Sequence, residues 1–140
     1  MNKWDKRFLE LAQVVASWSK DGTKVGSTIV DKRQRVVSLG FNGYPRGVED
    51  NLDVPREERL ARILHSEANA LLFAQRDVTG LTMYVTRPPC SNCAALIIQA
   101  GIARVVFPTP PEDFAERWAA SMITSFAMFE EAGVTLTEVK

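Results

Sequence analysis

The chain is short of most features that announce a function. Of its 140 residues, one is histidine and two are cysteine. No run of about 18 apolar residues occurs, so no membrane-spanning helix and no membrane partner are expected. The N-terminal stretch "MNKWDKRFLELAQ" alternates charged with apolar residues and lacks the continuous apolar core of a secretory signal, which reads as a cytoplasmic protein. Seventeen basic residues balance seventeen acidic ones without a run of like charge. The electrostatic footprint of a protein that lives on nucleic acid is therefore missing, and a small substrate is expected instead. Two cysteines in a reducing compartment are also too few for a disulfide scaffold. Internal repeats, low-complexity tracts and linkers are lacking as well.

What is present has globular proportions: 46% hydrophobic and 24% charged residues. The length suits one core, so a single domain over residues 1–140 is expected. Trp4, Phe8, Leu11, Val15 and Trp18 recur at steps of four and three, drawing one apolar stripe on a helix from Lys3 to Trp18. "VGSTIVD" and "RVVSLGF" are β-branched runs on either side of "KRQR", which predicts an antiparallel hairpin from Val25–Asp31 and Arg35–Phe41. The loop "NGYPRGVEDNLDVP" follows, then a helical pattern from Arg56 to Gln75 with a break near the histidine. "LTMYVT" is a strand, "CSNCAALIIQAG" a helix closed by Gly101, and "ARVVF" another strand. Pro111 to Ala132 forms a helix striped by Phe114, Trp118, Met122 and Phe126, and "VTLTEV" the last strand. The order αββαβαβαβ requires crossovers in its second half. An α/β fold follows: a three-layer α/β/α sandwich around a five-stranded mixed sheet.

Cys90 and Cys93 stand three positions apart at the start of a helix, near backbone N–H groups and the positive end of the helix dipole. Both thiols should ionise readily there, which serves a redox couple and a zinc site equally well. The single histidine, His65, lies 25 residues before Cys90. Together the three make one ligand fewer than a closed tetrahedral zinc site, and no further Cys or His is left to complete it. A catalytic zinc keeps its fourth position for water. Glu67, two positions after His65, is placed to sit beside such a water and to serve as general base and then general acid.

"HSEANALLFA" together with "PPCSNCAALI" carries the H-x-E…P-C-x-x-C signature and resembles the deoxycytidylate (dCMP) deaminase branch of the zinc-dependent cytidine/deoxycytidylate deaminases. The resemblance extends to "SWSKDGTKVGSTIVDKRQRVVSLGFNGYPRGVED", similar to the family's opening hairpin and Gly/Pro loop. One departure is Ser66, where the family more often has alanine. The resemblance implies one Zn²⁺ held by His65, Cys90 and Cys93, which activates hydroxide for attack on C4 of cytosine. Glu67 would protonate N3 and assist the departure of ammonia. It also implies that Asn42 contacts the deoxyribose or the base edge, that the chain forms a homo-oligomer, and that dCTP and dTTP act as effectors.

A monophosphate substrate needs donors near its pocket. Lys24, before the first strand, and Arg46, in the Gly/Pro loop, are the candidates, with arginine better suited to bidentate phosphate geometry. Phe114 and Trp118 are expected near the mouth, where one could stack on a base. Related substrates stay in view: a nucleoside, a free base or tRNA adenosine. A non-catalytic zinc module is the third reading, disfavoured because a structural site has no use for a proton shuttle.

Overall fold

The computed structural model describes residues 2–50 and 53–140. Ten elements follow one another: α1 (Lys3–Ala16), β1 (Gly26–Val30), β2 (Val36–Phe41), α2 (Arg56–Arg62), α3 (Ser66–Ala74), β3 (Thr82–Val85), α4 (Ser91–Gln99), β4 (Arg104–Pro108), α5 (Glu112–Ala132) and β5 (Thr135–Val139). The five strands form one sheet in the order β2-β1-β3-β4-β5. β1 runs antiparallel to both β2 and β3, whereas β3, β4 and β5 are mutually parallel. The expected mixed sheet with an antiparallel opening hairpin is what the chain builds.

Helices cover both faces. Ile29, Met83, Val85, Val105 and Phe107 project to one side and pack against Ala70 of α3, Ala94 and Ile97 of α4 and Phe129 of α5. Val30, Tyr84 and Val106 project to the other and meet Phe8 of α1. This alternation is the two-residue period of a strand buried on both faces. α1 lies close against β1 because residue 26 is glycine: a Cβ there would run into the Ala12 carbonyl and the Ala16 amide.

α1 begins where the Asn2 side chain accepts from the Asp5 N–H at 2.9 Å. It ends at Ala16, two residues short of the expected Trp18. Trp18 leaves the helix and packs edge-on against Phe41, with ring centroids 6.2 Å apart. Beneath α1 the buried Asp5 carboxylate accepts both arms of the Arg104 guanidinium, at 2.9 and 2.6 Å, and the Tyr84 hydroxyl at 2.8 Å. Burial alone would raise the Asp5 pKa, but Arg104 and Tyr84 outweigh it and hold the carboxyl below its ordinary value. Burial and the neighbouring Asp5 push the Tyr84 phenol up to about 12.

The helical pattern from Arg56 to Gln75, with its expected break near the histidine, is two helices. Ile63, at the end of α2, is extended, and His65 is extended too, as the N-cap of α3. Leu64 between them pairs with Gly43 through two backbone hydrogen bonds, which ties this break to the loop after β2. Positions 51 and 52 of that loop lie outside the described residues. Among the described residues no helix is long and apolar enough to cross a membrane.

Candidate active site

Two helix starts meet at one end of the sheet. His65 caps α3 and Cys90 caps α4, while Cys93 lies in the first turn of α4. Each cap residue is extended, and the Cys90 side chain turns back over the start of its helix. His65 Nδ1 comes within 3.5 Å of Cys90 Sγ and 3.3 Å of Cys93 Sγ. Cys90 Sγ also accepts the Cys93 backbone N–H at 3.5 Å.

All three donor atoms lie within 4.8 Å of one another. A tetrahedral zinc ion bound at ordinary Zn–S and Zn–N lengths would hold sulfur and nitrogen about 3.6 Å apart. Two sulfurs and one imidazole nitrogen at these separations therefore fit zinc, with one coordination position to spare. Of the two thiols expected to ionise readily, only Cys90 is shifted that way. A hydrogen bond from Cys93, helped by His65, draws the Cys90 thiol down to about 4. Cys93 is pushed up in turn, by its hydrogen bond with Cys90 and by burial. The hydrogen bond to Cys90 raises His65, although burial opposes it.

Glu67 lies one residue inside α3 and is buried. Burial raises its pKa, while the Ser66 hydroxyl, donating to Oε1 at 2.8 Å, works against that rise. Its place is set by the sheet. α3 can approach β2 because residue 40 is glycine, where a Cβ would collide with the Ser66 carbonyl and the Ala70 amide. The Ser38 hydroxyl, two residues earlier on the same face of β2, donates to the Ala70 carbonyl at 2.7 Å and pins the next turn of the helix.

His65, Glu67 and Cys90 open into one cavity of about 250 Å³. Asn42 lines it too, but both ends of its amide are engaged. Oδ1 accepts the Val25 N–H at 2.9 Å, and Nδ2 donates to the Thr23 carbonyl at 2.8 Å. Asn42 thus holds the loop before β1 against the cavity wall, with one Nδ2 hydrogen still available. Phe114 and Trp118 reach the cavity as expected, together with Met122.

The expected phosphate donors are not on this wall. Lys24 lines a separate cavity of about 230 Å³, of which Arg87 is also a wall, and Arg46 lines neither. Four other arginines line the main cavity: Arg56, Arg59, Arg87 and Arg117. The sequence carries a signal for three of them. Arg56, Arg59, Leu60 and Ile63 follow the i, i+3, i+4, i+7 spacing of one helix face, and Phe114, Arg117, Trp118, Ser121 and Met122 do the same on α5. All nine line the cavity. Arg87 precedes Pro88 and Pro89 in the turn into α4, and its guanidinium lies 4.8 Å from the Phe114 ring centroid.

Residues 2–109 match the sequence profile of the cytidine and deoxycytidylate deaminase zinc-binding region. The chain belongs to this family. An uncharacterized deaminase of Aliivibrio fischeri is 50% identical over 139 residues, spanning 98% of this chain and 94% of that protein. The deoxycytidylate deaminase of Mus musculus is 34% identical over 142 residues, or 95% of this chain and 78% of that one. Among solved structures, the dCMP deaminase of cyanophage S-TIM5 in complex with dCMP and dUMP superimposes with a TM-score of 0.79 at 23% identity, covering 99% of both chains. At that identity the last likeness speaks for the fold. The family's zinc-binding character and the His65, Cys90 and Cys93 cluster point to the same metal.

Proposed function

We propose that residues 1–140 act as a single zinc-dependent deaminase domain that hydrolyses dCMP to dUMP and ammonia. The family and the name of the mouse relative support the reaction class. The observation that carries the choice of a nucleotide is the wall of the cavity: four arginines, Arg56, Arg59, Arg87 and Arg117, face two acids, Asp21 and Glu67. No ion pair to Arg56, Arg59 or Arg87 is formed among the described residues, and the single pair of Arg117, to Asp113, is long at 3.9 Å. Guanidinium groups held in no short ion pair around a small apolar pocket suit the phosphate of a nucleotide whose base lies within.

In this reading His65, Cys90 and Cys93 hold one Zn²⁺, which supplies an acidified water as nucleophile. Glu67 takes a proton at its carboxylate, delivers it to N3 of the pyrimidine as C4 is attacked, and assists the departing amine. Phe114 and Trp118 offer ring faces to the base, and Asn42 holds the 20–25 loop and presents its remaining N–H. The protein works in the cytoplasm on free nucleotide. A homo-oligomer is supported by large apolar side chains left exposed on α3 and α4: Leu72, Phe73 and Leu96. The dCTP and dTTP effectors rest on the family resemblance alone.

The test is a substrate panel of dCMP, deoxycytidine, cytosine and an adenosine-containing tRNA hairpin, followed by ammonia release. dCMP is expected to be preferred, and Arg87→Ala is expected to raise KM for dCMP at least about tenfold, the scale of one lost charge-assisted contact, while leaving deoxycytidine unchanged. Equal turnover of deoxycytidine and dCMP by the wild type would overturn the nucleotide assignment. Activity confined to the RNA or the free base would replace it with another substrate class.

A further inference from the structure

A pair of buried hydroxyls stands behind the carboxylate that carries the proton. Ser27 Oγ and Ser66 Oγ are 2.7 Å apart, and Ser66 Oγ is 2.8 Å from Glu67 Oε1. Both serines are fully buried, and Glu67 nearly so, at 4% exposure. A hydroxyl has one hydrogen to give. Ser66 gives its hydrogen to the carboxylate, so the hydrogen between the two serines comes from Ser27. With the Glu67 carboxylate ionised, the chain runs from Ser27 to Ser66 to Glu67.

The same local geometry makes the contact. Ser27 in β1 sits directly opposite Gly40 in β2, and Gly40 is the residue whose missing Cβ lets α3 come down on the sheet. Only with α3 at that depth does the hydroxyl of its first residue reach the hydroxyl of a central strand. β1 is hydrogen-bonded on both sides, to β2 and to β3, so Ser27 is anchored in a rigid part of the fold.

We infer that Ser27 and Ser66 form a two-hydroxyl relay that fixes the Glu67 carboxylate in its working orientation, holding Oε1 and leaving Oε2 as the oxygen that takes and returns the proton. Both serines are positioning residues, since neither lines the reaction through a contact of its own with the proton in transit. The inference rests on Glu67 acting as the proton carrier. A carboxylate held in place before substrate arrives needs no reorganisation at the moment of reaction. The loss from removing the relay should therefore fall on kcat and leave KM alone.

The experiment compares Ser66→Ala, Ser27→Ala, the double variant and Glu67→Gln in the zinc-loaded protein, with zinc content measured on each. Ser66→Ala is expected to lower kcat about tenfold or more, as for one hydrogen bond to a charged group, with KM changed less than twofold. Ser27→Ala should give a smaller loss in the same direction. The double variant discriminates. If Ser66→Ala acted only by stranding the buried Ser27 hydroxyl, removing that hydroxyl too would restore activity. The relay predicts instead that the double variant stays as slow as Ser66→Ala with no added loss, because the two serines act in one chain. Restored activity in the double variant, or Ser66→Ala at wild-type kcat beside an inactive Glu67→Gln, would overturn the relay. Turnover retained by Glu67→Gln would overturn the proton-carrier reading itself.

Discussion

Gly40 and Ser66 are in backbone contact: a Cβ on Gly40 would collide with the carbonyl oxygen of Ser66. β2 and the start of α3 thus touch through their main chains, and the residues on either side of Ser66 are His65 and Glu67. The depth of one helix on one strand decides where a metal ligand and a carboxylate stand.

Gly40→Ala should therefore cost stability and function together. The obstacle is backbone, which cannot swing aside as a side chain can, so the upper part of the overpacking range applies, about 2–3 kcal/mol. Urea unfolding should register that loss. Zinc retention should fall with it, because α3 must lift and carry His65 away from the α4 sulfurs.

The metal cluster gives a second expectation. Cys93 Sγ lies 3.3 Å from His65 Nδ1 although 28 positions separate the residues. Replacing any one of His65, Cys90 or Cys93 by alanine leaves two donors, too few for a stable open site. Metal analysis after dialysis should find about one zinc per chain in the wild type and nearly none in these variants. Dialysis against a strong chelator should abolish turnover, and added Zn²⁺ should restore it.

How much of this could be read from residues alone depends on the scale of the signal. Cys90, Cys93, His65 and Glu67 were legible because the chain holds no other Cys or His, and the break at His65 separated two helical patterns that the structure also separates. The strand order in the second half followed from the crossovers. The make-up of the cavity wall was not legible: Lys24 and Arg46 were chosen as neighbours of the opening hairpin and its Gly/Pro loop, whereas the arginines that line the cavity come from α2, α5 and the turn before α4. Arginines on an exposed helix face look the same in sequence whether or not that face borders a cavity, and Arg56, Arg59 and Arg117 stay exposed while lining this one. The end of α1 was overrun because Trp18 continues the apolar stripe, yet its partner Phe41 lies beyond the helix. Asn42 was expected at the deoxyribose or the base edge; it lines the cavity, and its amide also holds the loop at Thr23 and Val25.

The buried cluster under α1 predicts how stability varies with pH. The Asp5 pKa is lowered in the folded protein, so its contribution is present above the ordinary carboxylate value and is lost as pH falls through the folded value. The Tyr84 pKa is raised from 10.0 to about 12, so its contribution is present below 10.0 and is lost as pH rises through about 12. Asp5→Asn should flatten the acid limb of a stability-versus-pH curve. At neutral pH it should cost about 2–3 kcal/mol, between an exposed and a fully buried ion pair, since Arg104 keeps partial access to water. Tyr84→Phe should remove its share of the alkaline limb and cost about 2 kcal/mol, the scale of one hydrogen bond to a charged group. Urea midpoints at a series of pH values measure both.

The most direct test pairs zinc content with turnover in wild type and Glu67→Gln on dCMP. Both proteins should carry about one zinc per chain, because Glu67 is placed beside the ligand set and outside it. The wild type should release dUMP and ammonia in equal amounts, and Glu67→Gln should lose at least about a thousandfold in kcat, within the range a positioned proton carrier supplies. A fully zinc-loaded wild type that leaves dCMP intact, or a Glu67→Gln variant that turns it over at the wild-type rate, would contradict the account.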